Sequence, residues 1–64
     1  MVRINGKQEA ADGMVLLDYL EQNHYALKGI AVECNEEMIE KSRYAEYVLQ
    51  DGDAVEIVSF VGGG

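Results

Sequence analysis

The chain has no proline and no tryptophan, a single cysteine, histidine and phenylalanine, and only five lysines and arginines against twelve carboxylates. A lone cysteine cannot form an internal disulfide, which fits a reducing cytosol. Nucleic-acid binding needs clustered cations that displace counterions from phosphates. Here Arg3, Lys7, Lys28, Lys41 and Arg43 are scattered among carboxylates, so that class is set aside. The longest aliphatic stretch, Met14 to Leu17, is far too short to span a bilayer. The opening residues Met1 to Asn5 lack the apolar run of a signal peptide. The expectation is a soluble cytoplasmic protein with neither a nucleic-acid nor a membrane partner.

At 64 residues there is room for one domain. A chain of this size buries only about 60 % of the surface its unfolded form exposes, which leaves little material to wall a deep pocket. Size therefore favours a binding handle over an enzyme. The formal charge of −7 serves solubility, and it can also steer the molecule towards a basic partner surface.

Outside the last three residues the sequence holds no repeat and no low-complexity segment. Val2 and Ile4 alternate with Arg3 and Asn5, and Asn5-Gly6 supplies the two positive-φ positions of a type I′ hairpin turn. The returning strand is expected over Lys7 to Ala11. Asp12-Gly13 breaks it, and Leu16, Leu17, Tyr19 and Leu20 then recur at helical spacing with Asp18 and Glu21 outside. Asn23-His24 is a stop, because both residue types tolerate the left-handed conformation of a helix C-cap. Leu27 is expected to pack beneath the exit loop. Ile30 to Cys34 makes a third strand, Asn35-Glu36 a turn, and Met38-Ile39 a short fourth strand. Lys41 to Gln50 is irregular, with a helical turn expected near Tyr44 to Glu46. Asp51-Gly52-Asp53 launches a last strand over Ala54 to Val61, rich in β-branched residues. An amphipathic helix must bury its stripe against a sheet face. The expected fold is α+β: a mixed sheet wrapped around one main helix, the β-grasp or ubiquitin-like arrangement, over residues 1–61, with a flexible glycine tail at 62–64.

In the last strand Val55, Ile57, Ser59 and Val61 share one face; Glu56, Val58 and Phe60 share the other. With Val55 and Ile57 on the helix, Val58 and Phe60 remain outside. Either a loop or a neighbouring strand covers them, or they form a docking patch beside the chain end. Gly62-Gly63-Gly64 adds nothing to a core and loses the most entropy if ordered. It gives a thread without side chains that reaches about 10 Å and enters channels any Cβ would block. Its terminal carboxylate, ionised at neutral pH, can attack the α-phosphate of ATP held by another protein. The resulting acyl-adenylate is open to a sulfur nucleophile. Glycine runs also serve as plain linkers.

The run Asp51 to Gly64 resembles the C-terminal signature of the ThiS family, sulfur carriers of thiamine biosynthesis. Leu16-Leu17-Asp18-Tyr19-Leu20 and Ala31-Val32-Glu33-Cys34-Asn35 extend the resemblance over nearly the whole chain. It departs where family members often have Asn-Gly in place of Asn35-Glu36, and proline in place of Glu40. The resemblance implies that an E1-like adenylating enzyme (ThiF type) activates Gly64 using its own ATP, so the carrier has no cofactor. Sulfur from a cysteine desulfurase then leaves a thiocarboxylate, which a thiazole synthase (ThiG type) consumes. On this reading Gly63 and Gly64 carry the chemistry, Gly62 extends the reach, and Val58, Phe60 and Val61 dock. The free protein is expected to be a monomeric cosubstrate rather than a catalyst.

Other residues weigh less. Cys34, aligned with Ile30 and Val32, is expected to be a small buried hydrophobe, and His24 a helix-end residue. Glu33, Glu36, Glu37 and Glu40 match no calcium-loop spacing and make a solvated acidic edge. Tyr44 and Tyr47 are expected to cap the core. The alternatives are a related carrier serving molybdopterin, tRNA or another small metabolite, an interaction module whose tail is dispensable, or a modifier joined to lysines. Molybdopterin carriers usually run longer and have prolines before their glycines, unlike this chain.

Overall fold

The computed structural model describes residues 1–60; the expectations for Val61, Gly62, Gly63 and Gly64 lie outside the described residues. The element order is β1 (Val2–Ile4), β2 (Lys7–Glu9), α1 (Leu16–Gln22), β3 (Ile30–Cys34), β4 (Glu37–Ile39) and β5 (Ala54–Ser59). Short 3-10 turns fill Leu27–Gly29 and Lys41–Arg43. The sheet order is β2-β1-β5-β3-β4. The last strand of the sequence is thus the middle strand of the sheet, parallel to β1 and antiparallel to β3. This is the expected β-grasp. Among the described residues no helix is long and apolar enough to cross a membrane.

The seven residues of α1 are too few to be stable alone. Leu16, Tyr19 and Leu20 bury its inner face against Val2, Ile4, Val32, Val55 and Ile57. Its first turn has no side-chain cap. Instead the amides of Leu16 and Leu17 donate to the carbonyls of Tyr47 and Tyr44, at 2.7 and 3.0 Å. The irregular segment therefore supplies acceptors that a capping residue would otherwise provide, and Leu49 at its end is fully buried. At the other end Asn23 has an ordinary φ of −100°, while His24 takes the left-handed position at φ 63°.

Two asparagines at turns clamp β5 from opposite sides. Asn5 and Gly6 have φ 51° and 84°, as a type I′ turn requires. The Asn5 side chain then accepts from the Ile57 amide at 2.7 Å and donates to its carbonyl at 3.1 Å. Asn35 likewise accepts from the Ala54 amide and donates to Asp53, both at 3.0 Å. Sequence alone suggested only a turn role for each.

Three boundaries differ from expectation. β2 ends at Glu9 rather than Ala11, although Ala11 is still buried. The helical turn starts at Lys41, three residues before Tyr44, and its hydrogen bonds continue through Glu46 and Tyr47 onto the Arg43 carbonyl. β5 ends at Ser59; the Phe60 amide still donates to the Gly29 carbonyl at 2.9 Å.

Both departures from the family pattern keep the backbone their replacements favour. Glu40 sits at φ −73°, within proline's range. Glu36 sits at φ 72°, where a side chain is strained and glycine is not. Glu36→Gly is therefore expected to stabilise the fold. Relief of about 1–2 kcal/mol of left-handed strain outweighs the roughly 0.5–1 kcal/mol entropy cost of glycine. A net gain of about 0.5–1 kcal/mol is a rise of roughly 2–8 °C in a domain this small. A thermal melt of the variant beside the parent checks it.

Candidate functional site

β5 presents two chemically different faces. Val55 and Ile57 are in the core, while Glu56, Val58 and Phe60 face out. Val58 is 58 % exposed and Phe60 62 % exposed, so no loop among the described residues covers them. Across the sheet Val58 stands opposite the half-buried Ala31, and Glu56 stands opposite Glu33. Met38, 62 % exposed, is the partner of Glu33 on β4. The outer face is thus an apolar strip at the β5 exit, bordered by carboxylates. Like charges directly opposite each other cost stability, so the Glu33–Glu56 pair is a destabilising element of this face.

The strip is held by groups that the sequence did not reveal. Lys41, from the turn after β4, donates its Nζ to the Ile30 carbonyl at 3.2 Å. The same ammonium lies 5.9 Å from the centre of the Phe60 ring. No short motif signals this contact, because Lys41 and Phe60 lie nineteen positions apart and meet only through the β3·β5 ladder.

The remaining candidates fall to structural roles. Cys34 is buried at 2 % exposure, and burial pushes its thiol up. The Cys34 sulfur, with burial second, pushes the neighbouring Tyr47 hydroxyl up to about 12. Both groups are neutral at physiological pH and unsuited to nucleophilic work. Tyr44 is buried and Tyr47 packs against the core, as expected of caps. Glu33, Glu36, Glu37 and Glu40 are exposed, and among the described residues no three metal-ligating side chains come together. An open depression of about 460 Å³ borders Asn35, Arg43, Tyr47, Gln50 and Asp53. Asp53 is occupied there by the Asn35 side chain and the Gln50 amide, at 3.0 and 2.9 Å. This depression lies at the start of β5, away from Phe60.

Cys34→Ala is accordingly expected to lower the melting temperature while leaving the fold intact. In the native parent a thiol reagent should label Cys34 only at the rate of unfolding. Rapid labelling of folded protein, or an unchanged melting temperature in the alanine variant, would contradict the packing role.

A five-stranded mixed sheet with the last strand in its middle and one helix across it is the ubiquitin-like β-grasp class. Residues 2–64 match the model of the ThiS family. The chain is 42 % identical over 66 aligned positions to the sulfur carrier protein ThiS of Bacillus subtilis strain 168, with both chains covered in full. A crystal structure of the thiamine biosynthesis protein ThiS from Geobacter metallireducens superposes with a TM-score of 0.77 at 30 % identity. It covers 98 % of this chain and 97 % of that one. A thiazole synthase from Magnetococcus marinus is 34 % identical over 98 % of this chain, which spans 20 % of that protein. The chain belongs to the ThiS family.

Proposed function

We propose that this protein is the sulfur carrier of thiamine biosynthesis and that it works through the carboxylate of Gly64. The observation that carries the reading is the family match through residue 64, including the closing glycines. A carboxylate oxygen of Gly64 attacks the α-phosphate of ATP in the site of a ThiF-type enzyme, releasing pyrophosphate. A sulfur nucleophile, derived from a cysteine desulfurase, then attacks the acyl carbon and expels AMP. The thiocarboxylate formed is the sulfur source for thiazole synthase. In support, a carrier-like segment lies within a relative that is itself called a thiazole synthase.

The protein supplies the acyl group, its presentation and a docking surface. It is not an enzyme, and ATP belongs to the activating partner. Gly62 to Gly64 form a side-chain-free tail that enters the partner's channel; Val58, Phe60 and Val61 bind its rim. The carboxylates around this face favour a basic surface on each partner. The net charge of −7 opposes self-association, in keeping with a free monomer in the cytoplasm.

The test is intact mass spectrometry after incubation with a ThiF-type enzyme, ATP and sulfide. The expected product gains one oxygen-to-sulfur exchange, mapped to Gly64. An unchanged mass, with the enzyme active on its own carrier, would reject the assignment to this pathway's activating step.

A further inference from the structure

The Phe60 side chain is 62 % exposed at the end of the sheet, where an aromatic ring has several accessible rotamers and little to select one. Two contacts restrict it. The Phe60 amide donates to the Gly29 carbonyl at 2.9 Å, which fixes the backbone just past β5. The Lys41 ammonium stands 5.9 Å from the ring centre and is itself tethered, at 3.2 Å, to the carbonyl of Ile30. Ile30 in turn pairs with Ser59, the residue before Phe60. Lys41 is thus held by the neighbouring strand in a place from which it can hold the ring. A free lysine on the surface would sample many rotamers, and this one is restrained by a partly buried hydrogen bond.

We infer that Lys41 is a positioning residue for recognition: its tethered ammonium keeps the Phe60 ring in the orientation that the activating partner meets. This rests on the proposed role of Phe60 as a docking residue. Lys41 acts through the ring and takes no part in acyl transfer. A preorganised anchor spares the partner the entropy of ordering it on binding. An exposed cation–π contact has a free energy that translates into a preference of about two- to fivefold for the held orientation.

The experiment is a double-mutant cycle with Lys41→Met, Phe60→Leu and the pair, read in two ways. Lys41→Met keeps the aliphatic stem and removes the charge. The first readout is the KM for the carrier in adenylation by a ThiF-type enzyme with ATP. Lys41→Met should raise KM about two- to fivefold with kcat unchanged, and Lys41→Arg should restore it. In the Phe60→Leu background, Lys41→Met should add nothing. The second readout needs no partner: the Phe60 ring proton and carbon shifts should move in Lys41→Met and return in Lys41→Arg.

Equal KM effects of Lys41→Met in both backgrounds would mean that Lys41 touches the partner itself, and would overturn the inference. Unchanged ring shifts in Lys41→Met would also overturn it. If instead Phe60→Leu alone leaves KM unaltered, the docking role of Phe60 fails; the ring shifts then still report whether Lys41 orders the ring. A thermal melt of each variant separates these outcomes from unfolding.

Discussion

Removing Gly63 and Gly64 is expected to abolish thiocarboxylate formation while leaving the melting temperature of the domain within about 1 °C, since neither residue can contribute packing. The truncated chain still ends in a carboxylate, that of Gly62, with the same intrinsic chemistry. What it loses is reach. Two residues of extended chain span about 7 Å, so the truncated carboxylate stops that far short of the α-phosphate. Displacements of even 1 Å from a near-attack geometry cost on the order of 100-fold in rate. A milder form is Gly63→Ala, which preserves length and adds one Cβ. If the tail threads a channel that excludes side chains, the rate of adenylation should fall about 100-fold, and raising the carrier concentration should not restore it. Pyrophosphate exchange with a ThiF-type enzyme measures both variants. A truncated chain that is still loaded with sulfur would show that the Gly62 carboxylate serves as well, and the requirement for reach would have to be abandoned.

The residues that fix the fold differ in how far the sequence exposes them. Asn5-Gly6 declares a turn because few residue pairs accept two consecutive positive φ values, and the structure has it there. The strands β3 and β5 were legible because burial on one face imposes a period of two on Ile30, Val32, Cys34, Val55 and Ile57. The same alternation left Val58 and Phe60 outside, which made the exposed strip visible in advance. The contacts that join distant segments were not legible. Tyr44 and Tyr47 cap α1 through backbone carbonyls, which carry no side-chain signature. The side-chain clamps of Asn5 and Asn35 on β5 depend on strand order, and that order places the last strand in the middle. Lys41 is one of several lysines on an acidic chain until the sheet brings it over Phe60.

Phe60→Ala is expected to raise the KM of the carrier for its activating enzyme about 30-fold, with kcat near the parent value at saturation. The ring is the single phenylalanine of the chain, and more than half of it is in solvent, so its removal opens no cavity. On an interface it would bury some 150–250 Å². Aromatic anchors at interface centres typically cost about 2 kcal/mol or more when truncated, which is roughly the 30-fold stated. Docking contacts of this kind are made equally in the ground and transition states, so their loss appears in KM and not in kcat. Met38→Ala is the internal comparison. Met38 is equally exposed, yet it lies on β4, separated from β5 by β3. A partner that must bring the chain end into its active site should cover Phe60 at the β5 exit before it reaches the far edge strand. Met38→Ala should therefore shift KM by less than threefold, about the size of a peripheral contact. Comparable losses at both positions would mean that the partner grips the whole outer face. A loss at Met38 alone would place the docking surface on the β4 edge and remove Phe60 from it.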